Sequence, residues 1–206
     1  MAEGISTFGF ENEEIKGGFE KYKGKKGEMH RGAIIYTDPK AMFAGSKVHF
    51  KERYFLCKKG KCCEVCGPSK WRVGAVFIQY ACDKQGNLKK PFSYDLLPWL
   101  FSEVTYSKLK AVNSEFPLAS HDIKISCENE EYQHLNITPC SESIWTVKDE
   151  LKTSIIETAK PIWEFVKRSI ASDLSVEEIN ELIGAAGGTA VDPSVQIDLD
   201  SVLNKV

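Results

Sequence analysis

Apolar residues alternate along the first half of this chain and recur at helical spacing in its last third. Gly32-Ala33-Ile34-Ile35-Tyr36 reads as a short buried strand ended by Asp38-Pro39. Ser46 to Cys57 is strand-rich, and Trp71 to Cys82, W-R-V-G-A-V-F-I-Q-Y-A-C, carries the strongest strand signal. Its β-branched and aromatic content, with Gly74 inside, suits a curved strand. Asp83 to Asn87 predicts a turn, from which Leu88 to Tyr94 returns as a strand. A helix is expected from Asp95 to about Ala111, with Leu96, Leu97, Leu100, Val104 and Leu109 turned inward and Pro98 in the first turn. Ile123–Cys127 and Tyr132–Ile137 alternate around an acidic turn and predict a hairpin. Lys148 to Ile170 predicts an amphipathic helix pair broken or kinked at Pro161. Ser175-Val176-Glu177-Glu178 is a capping-box start to a last helix ending at Gly184. Five or six short curved strands with an inserted helix predict a mainly β, α+β fold: an OB-like barrel followed by C-terminal helices.

The length of 206 residues and 42% hydrophobic content support one globular core, placed at residues 16–184. No apolar run approaches the roughly 18 residues of a membrane span. The net charge of −2 hides a strong asymmetry. Residues 1–15, an acidic N-terminal arm, carry four acids and no Lys or Arg, whereas residues 16–110 carry 20 basic and 8 acidic side chains. Residues 111–206 reverse this with 7 basic and 17 acidic. A basic body joined to an acidic end fits a polyanion-binding protein that limits its own non-specific contacts. Residues 185–206 mix acids with isolated aliphatics and read as a flexible, mildly acidic tail that a partner could recognise.

The chemistry concentrates between Val48 and Val73, which hold four cysteines, one histidine, seven Lys or Arg and four aromatics. Cys63-Glu64-Val65-Cys66-Gly67 is a C-x2-C-G knuckle, whose spacing lets two sulfurs sit about 2.3 Å from one tetrahedral ion. Cys57 lies six residues earlier across a Lys- and Gly-rich loop. The fourth donor is open between His49 and Cys62. His49 and Cys57 would be about 26 Å apart on one straight strand, so sharing an ion requires a fold-back near Glu52-Arg53-Tyr54. Cys62 also competes with its neighbour Cys63, which alone has the x2 spacing. The opening M-A-E-G-I-S-T has no signal-like segment, so a reducing cytosol is expected, where clustered cysteines serve metals rather than disulfides. No H-x-E precedes the cysteines as a base deaminase requires, and the expected zinc is a single structural ion. Cys82, Cys127 and Cys140 are expected to be reduced, and His121 and His134 to stand apart from any metal.

Basic residues interleaved with aromatics fit a surface for single strands, with cations on phosphates and rings stacked on bases. The phosphate candidates are Lys51, Arg53, Lys58, Lys59, Lys70, Arg72, Lys89 and Lys90. The stacking candidates are Tyr54, Trp71, Tyr80, Phe92 and Tyr94, although alternation turns Trp71 and Tyr80 to opposite faces of one strand. Lys16 to Arg31, with Phe19 and Tyr22 among its lysines and glycines, reads as a loop or extended edge with the same potential. The alternative is a zinc-ribbon adaptor for duplex DNA or protein. An enzyme is not expected, because residues 16–110 offer scattered acids without a paired motif and no nucleotide-binding loop.

Several stretches together resemble the zinc-containing single-stranded DNA-binding, helix-destabilising proteins of T-even-type bacteriophages. They are G-A-I-I-Y, V-H-F at Val48, C-K-K-G-K-C-C-E-V-C from Cys57 and K-W-R-V-G-A-V-F-I from Lys70. The likeness continues through F-S-Y-D-L-L-P-W-L at Phe92 and D-I-K-I-S-C at Asp122, and spans about residues 28–140. The resemblance implies a basic, aromatic-lined cleft on an OB-like core. It implies a zinc flap at about 47–69 held by His49, Cys57, Cys63 and Cys66. It further implies a role in phage DNA replication, recombination or repair in the cytoplasm of an infected bacterium, with replication proteins recruited by the tail. Three features depart from the family: a shorter His-to-Cys interval, a Glu-rich arm where the family's is basic, and a short, mildly acidic tail.

Overall fold

The computed structural model describes residues 19–36, 38–59, 61–128, 134–146 and 149–185. The acidic arm at 1–15, the turn of the expected 123–137 hairpin, Lys148 and the tail from 186 onward lie outside the described residues. In chain order the elements are β1 (Met29–Ile35), β2 (Ala44–Phe50), β3 (Tyr54–Leu56), α1 (Lys61–Cys66), β4 (Lys70–Tyr80) and β5 (Tyr94–Ser102). They are followed by α2 (Glu103–Glu115), β6 (His121–Cys127), β7 (Leu135–Glu142), α3 (Asp149–Ser169) and α4 (Val176–Ala185). The fold is mixed α+β, built on one seven-stranded antiparallel sheet.

β4 is the hub. One edge pairs with β5 from Arg72↔Ser102 to Tyr80↔Tyr94. The other is shared end to end by β1, from Ile35↔Val76 to Arg31↔Tyr80, and β2, from Ala44↔Gly74 to Val48↔Lys70. β6 and β7 extend the sheet beyond β1, and β3 extends it beyond β2. Both faces of β4 are covered, which explains its nearly unbroken apolar sequence. Val73, Ala75 and Phe77 enter a core with β6 and α2, while Val76, Ile78 and Tyr80 enter another beneath α3. A Cβ on Gly74 would stand 2.6 Å from Val166 of α3 and 2.8 Å from Leu100, so only glycine lets the helix lie this close.

The helix expected from Asp95 is instead strand β5 up to Ser102, and α2 begins only at Glu103. Alternation explains the misreading. Leu97, Trp99 and Phe101 face one core and Leu96 and Leu100 the other, so a doubly buried strand presents an apolar run without a two-residue period. Pro98 costs no ladder bond. Its carbonyl accepts from Tyr22 N–H at 2.9 Å on the edge away from β4, and its nitrogen points the same way. Val104, expected inside, is 60% exposed. The expected strand from Leu88 reduces to a single bridge, Cys82↔Leu88, before β5 starts at Tyr94.

The sheet does not close into the expected barrel: among the described residues no ladder joins β5 to β7. The gap is spanned by other means. The 22–26 segment bonds to β5 through Tyr22 and bridges β6 at Lys26↔Cys127. α2 buries Leu109 in the core it shares with β6 and donates Lys108 Nζ to Leu135 O at 2.6 Å on β7. α3 is one continuous helix through Pro161, not a pair, and buries Ile155, Ala159, Ile162 and Val166. The capping box forms as expected, with Glu178 N–H donating to Ser175 Oγ at 3.1 Å and Ser175 N–H to Glu178 Oε2 at 2.7 Å.

Candidate functional site

The β2–β3 hairpin supplies the fold-back that brings His49 to Cys57. It turns over Lys51-Glu52-Arg53 without glycine or asparagine, and pairs His49 with Phe55 and Val48 with Leu56. His49, 4% exposed, packs beside Phe55, with ring centroids 5.7 Å apart. Lys59, at φ 62°, turns the chain just after Cys57, and Gly67, at φ 74°, turns it after Cys66. Between them lies the short helix α1, which carries Cys63.

The His49, Cys57 and Cys63 donor atoms all lie within 4.8 Å of one another. Cys57 Sγ is 3.4 Å from Cys63 Sγ, and Cys63 Sγ is 3.5 Å from His49 Nε2. A tetrahedral zinc with its usual bond lengths would hold two sulfurs about 3.8 Å apart and a sulfur and an imidazole nitrogen about 3.6 Å apart. The trio therefore fits a tetrahedral ion after adjustments of a few tenths of an ångström. Burial pushes the Cys57 thiol up, but hydrogen bonds from the Lys59 backbone N–H, Cys63, His49 and Ser69 outweigh it. They hold the thiol at about 6, a thiolate at neutral pH. Cys66 is outside this trio; with Cys57 and Cys63 it packs against the small core of Phe55, Leu174 and Ile179. The Cys62 side chain lies outside the described residues.

That small core comes from the far end of the sequence. Leu56 N–H donates to Ser172 O at 3.0 Å and Ser172 N–H to Tyr54 O at 2.9 Å, while Lys58 pairs with Asp173. α4 then supplies Ile179, Leu182 and Ile183 over the cysteines. Sequence reading left this helix without a role. The only clue was its apolar face, which required a partner.

Beside the hairpin runs a cleft of about 590 Å³. Lys21, Lys23, Lys70 and Arg72 line it together with Tyr54 and Trp71, over a floor that includes Trp99 and Phe101. Trp71 is 42% exposed and Tyr54 38%. Arg72 lies 3.7 Å from the centre of the Tyr54 ring and donates to Ile170 O at 2.9 Å, so that ring is held in place. Lys21 and Lys23 were missed as named candidates, although their basic, aromatic-interleaved stretch carried the signal.

The other expected residues divide by position. Lys51 and Arg53 sit at the hairpin tip beside the Phe50–Tyr54 ring pair, whose centroids are 4.8 Å apart. Lys58 is tied to Asp173, and Lys59 serves the turn after Cys57. Lys89, Lys90, Phe92 and Tyr94 lie near the opposite end of β4, about 30 Å from Lys70 along an 11-residue strand. They do not line the cleft. Tyr80 is a correction: it is 1% exposed, and its hydroxyl donates to Asp122 Oδ1 at 3.0 Å, which leaves no face for a base. His121 touches Ser120 and Phe116, and Cys82, Cys127 and Cys140 form no disulfide. Among the described residues no helix is long and apolar enough to cross a membrane. In comparisons with known proteins the chain matches no family model, no curated protein and no solved structure.

Proposed function

We propose that this protein binds single-stranded DNA, without strong sequence preference, in the cleft between the β2–β3 hairpin and the 21–24 segment. A zinc ion held by His49, Cys57 and Cys63, with Cys66 or Cys62 as fourth donor, would fix the hairpin and α1 as a flap beside it. The carrying observation is that four cations and two exposed aromatic rings share one groove. Phosphates would meet Lys21, Lys23, Lys70 and Arg72, and bases would stack on Trp71 and Tyr54. The curled sheet would serve as the OB-like platform, and the resemblance to phage helix-destabilising proteins supports the same reading. That resemblance extends the proposal to replication, recombination or repair, to the cytoplasm of an infected bacterium, and to replication proteins as partners of the tail. The chain's own residues do no covalent chemistry in this scheme.

Titration of intrinsic tryptophan fluorescence with oligo-dT tests the proposal. Trp71 is the exposed tryptophan of the cleft, so quenching should vanish in Trp71→Phe. Four neutralised phosphates predict a slope of about −3 for log affinity against log salt, from roughly −0.7 per phosphate on single strands. Equal affinity for a duplex of the same length would contradict it and favour the zinc-ribbon adaptor.

A further inference from the structure

Trp71 has a second side. Beyond it, away from the basic cleft, a pocket of about 330 Å³ opens between the start of β2 and the start of α2, lined by Phe43, Gly45, Trp71, Tyr106 and Glu103. Phe43 and Tyr106 meet edge to face, with centroids 5.4 Å apart and planes at 83°. Among the described residues no ring lies face to face with Tyr106 or Trp71, and both are partly exposed. The side chain of Glu103, at the first position of α2, has no ion pair or hydrogen bond among the described residues. It is one of only eight acids in residues 16–110, which carry 20 basic side chains.

We propose that this pocket receives one guanine base of the strand bound in the cleft, an inference that rests on the single-strand reading above. The chemistry selects the base. A carboxylate is acceptor-only, with two oxygens side by side. Guanine presents two adjacent donors, N1–H and the 2-amino group, which match it in a paired, charge-assisted contact. Thymine presents one N–H flanked by two carbonyl oxygens, which the carboxylate repels. Adenine and cytosine present an amino group beside an acceptor nitrogen. The rings of Trp71 or Tyr106 supply a stacking surface that every base shares, so Glu103 alone discriminates. An organic cation would also suit rings and a carboxylate, but the surrounding basic surface repels cations and draws in a polyanion. Because Trp71 borders both cavities, a strand tracking Lys70 and Arg72 needs to turn only one base past the indole.

Competition binding with short oligo-dT strands carrying one central dT, dG, deoxyinosine or dA tests this. The wild-type protein should prefer dG over dT by about tenfold, with deoxyinosine, which lacks the 2-amino group, in between. Glu103→Gln should bring dG to within about twofold of dT, with plain oligo-dT affinity retained or slightly raised because the carboxylate that repels thymine is gone. Glu103 lies on the surface, so this variant should fold; an unchanged melting temperature and oligo-dT affinity no weaker than wild type verify that. Oligo-dT binding without a dG preference, or a preference that survives Glu103→Gln, overturns the guanine pocket and spares the cleft. Absence of oligo-dT binding overturns both.

Discussion

Two clusters of buried or half-buried polar side chains flank the same sheet, and they differ in the chemistry of the atoms they gather. Around Asp122, fully buried on β6, the count is complete. Oδ2 accepts from Arg31 Nε at 3.2 Å and Nη2 at 2.9 Å, and Oδ1 accepts from Tyr80 at 3.0 Å and Ser143 at 2.9 Å. Four donors meet one carboxylate, and nothing further is needed to stabilise it. Around His49, two sulfurs and an imidazole nitrogen, atoms of the kind that ligate zinc, lie within 4.8 Å of one another beside a small core of Phe55, Leu174 and Ile179. A carboxylate ringed by four donors is polar packing complete in itself, whereas clustered thiols and an imidazole make a candidate metal site.

The largest expected effect is on the His49 cluster. With the proposed zinc bound, Cys63→Ser, or removal of the ion by a chelator, should cost the flap about 5 kcal/mol or more of local stability, since a lobe with so small a core would depend on that ion. Hydrogen exchange should then rise at least a thousandfold for the amides of Tyr54–Leu56 and α1, while those of β4 and β6 stay protected. Uniform loss of protection would show that the two regions are not separable.

Asp122→Ala should cost about 3 kcal/mol, because it strands Arg31, whose side chain is 13% exposed, together with two buried hydroxyls. Denaturant unfolding would reveal it, and the loss should be the same with and without chelator. A chelator-dependent loss would link the clusters.

Acid should act on the metal side. The Cys57 thiol is held at about 6 in the fold against an ordinary value of 9. Its thiolate is therefore favoured by folding, and its contribution is complete above pH 9 and lost as pH falls through 6. Melting of metal-free protein from pH 9 to 5.5 should show that decline, and the loaded protein should release its ion on acidification below about pH 6. A flat profile would remove the thiolate from the account. The smallest effect is Ser175→Ala, about 1 kcal/mol from the lost cap of α4, and it should weaken the flap rather than the sheet.

What could be read from sequence follows the range of the interactions. β4, the 83–87 turn, the capping box, the glycine turn after Cys66 and the His49–Cys57 fold-back each depend on residues close together. The Asp122–Arg31 pair spans 91 positions, and α4 covers the cysteines from more than a hundred residues away, so neither leaves a local trace. Tyr80 shows the consequence: an aromatic on a good strand reads equally as stacking surface or core, and only its bond to Asp122 decides. β5 was misread because helices and strands are told apart by period, and burial on both faces erases the period.

The most direct test of the central claim is fluorescence anisotropy of labelled oligo-dT with metal-loaded protein, repeated after chelation and after zinc is restored, alongside a duplex of equal length. The account predicts tight, salt-sensitive binding of the single strand, at least tenfold weaker binding without the ion, recovery on zinc addition, and weak duplex binding throughout. Duplex affinity equal to that for oligo-dT, or single-strand binding indifferent to the metal, would contradict it.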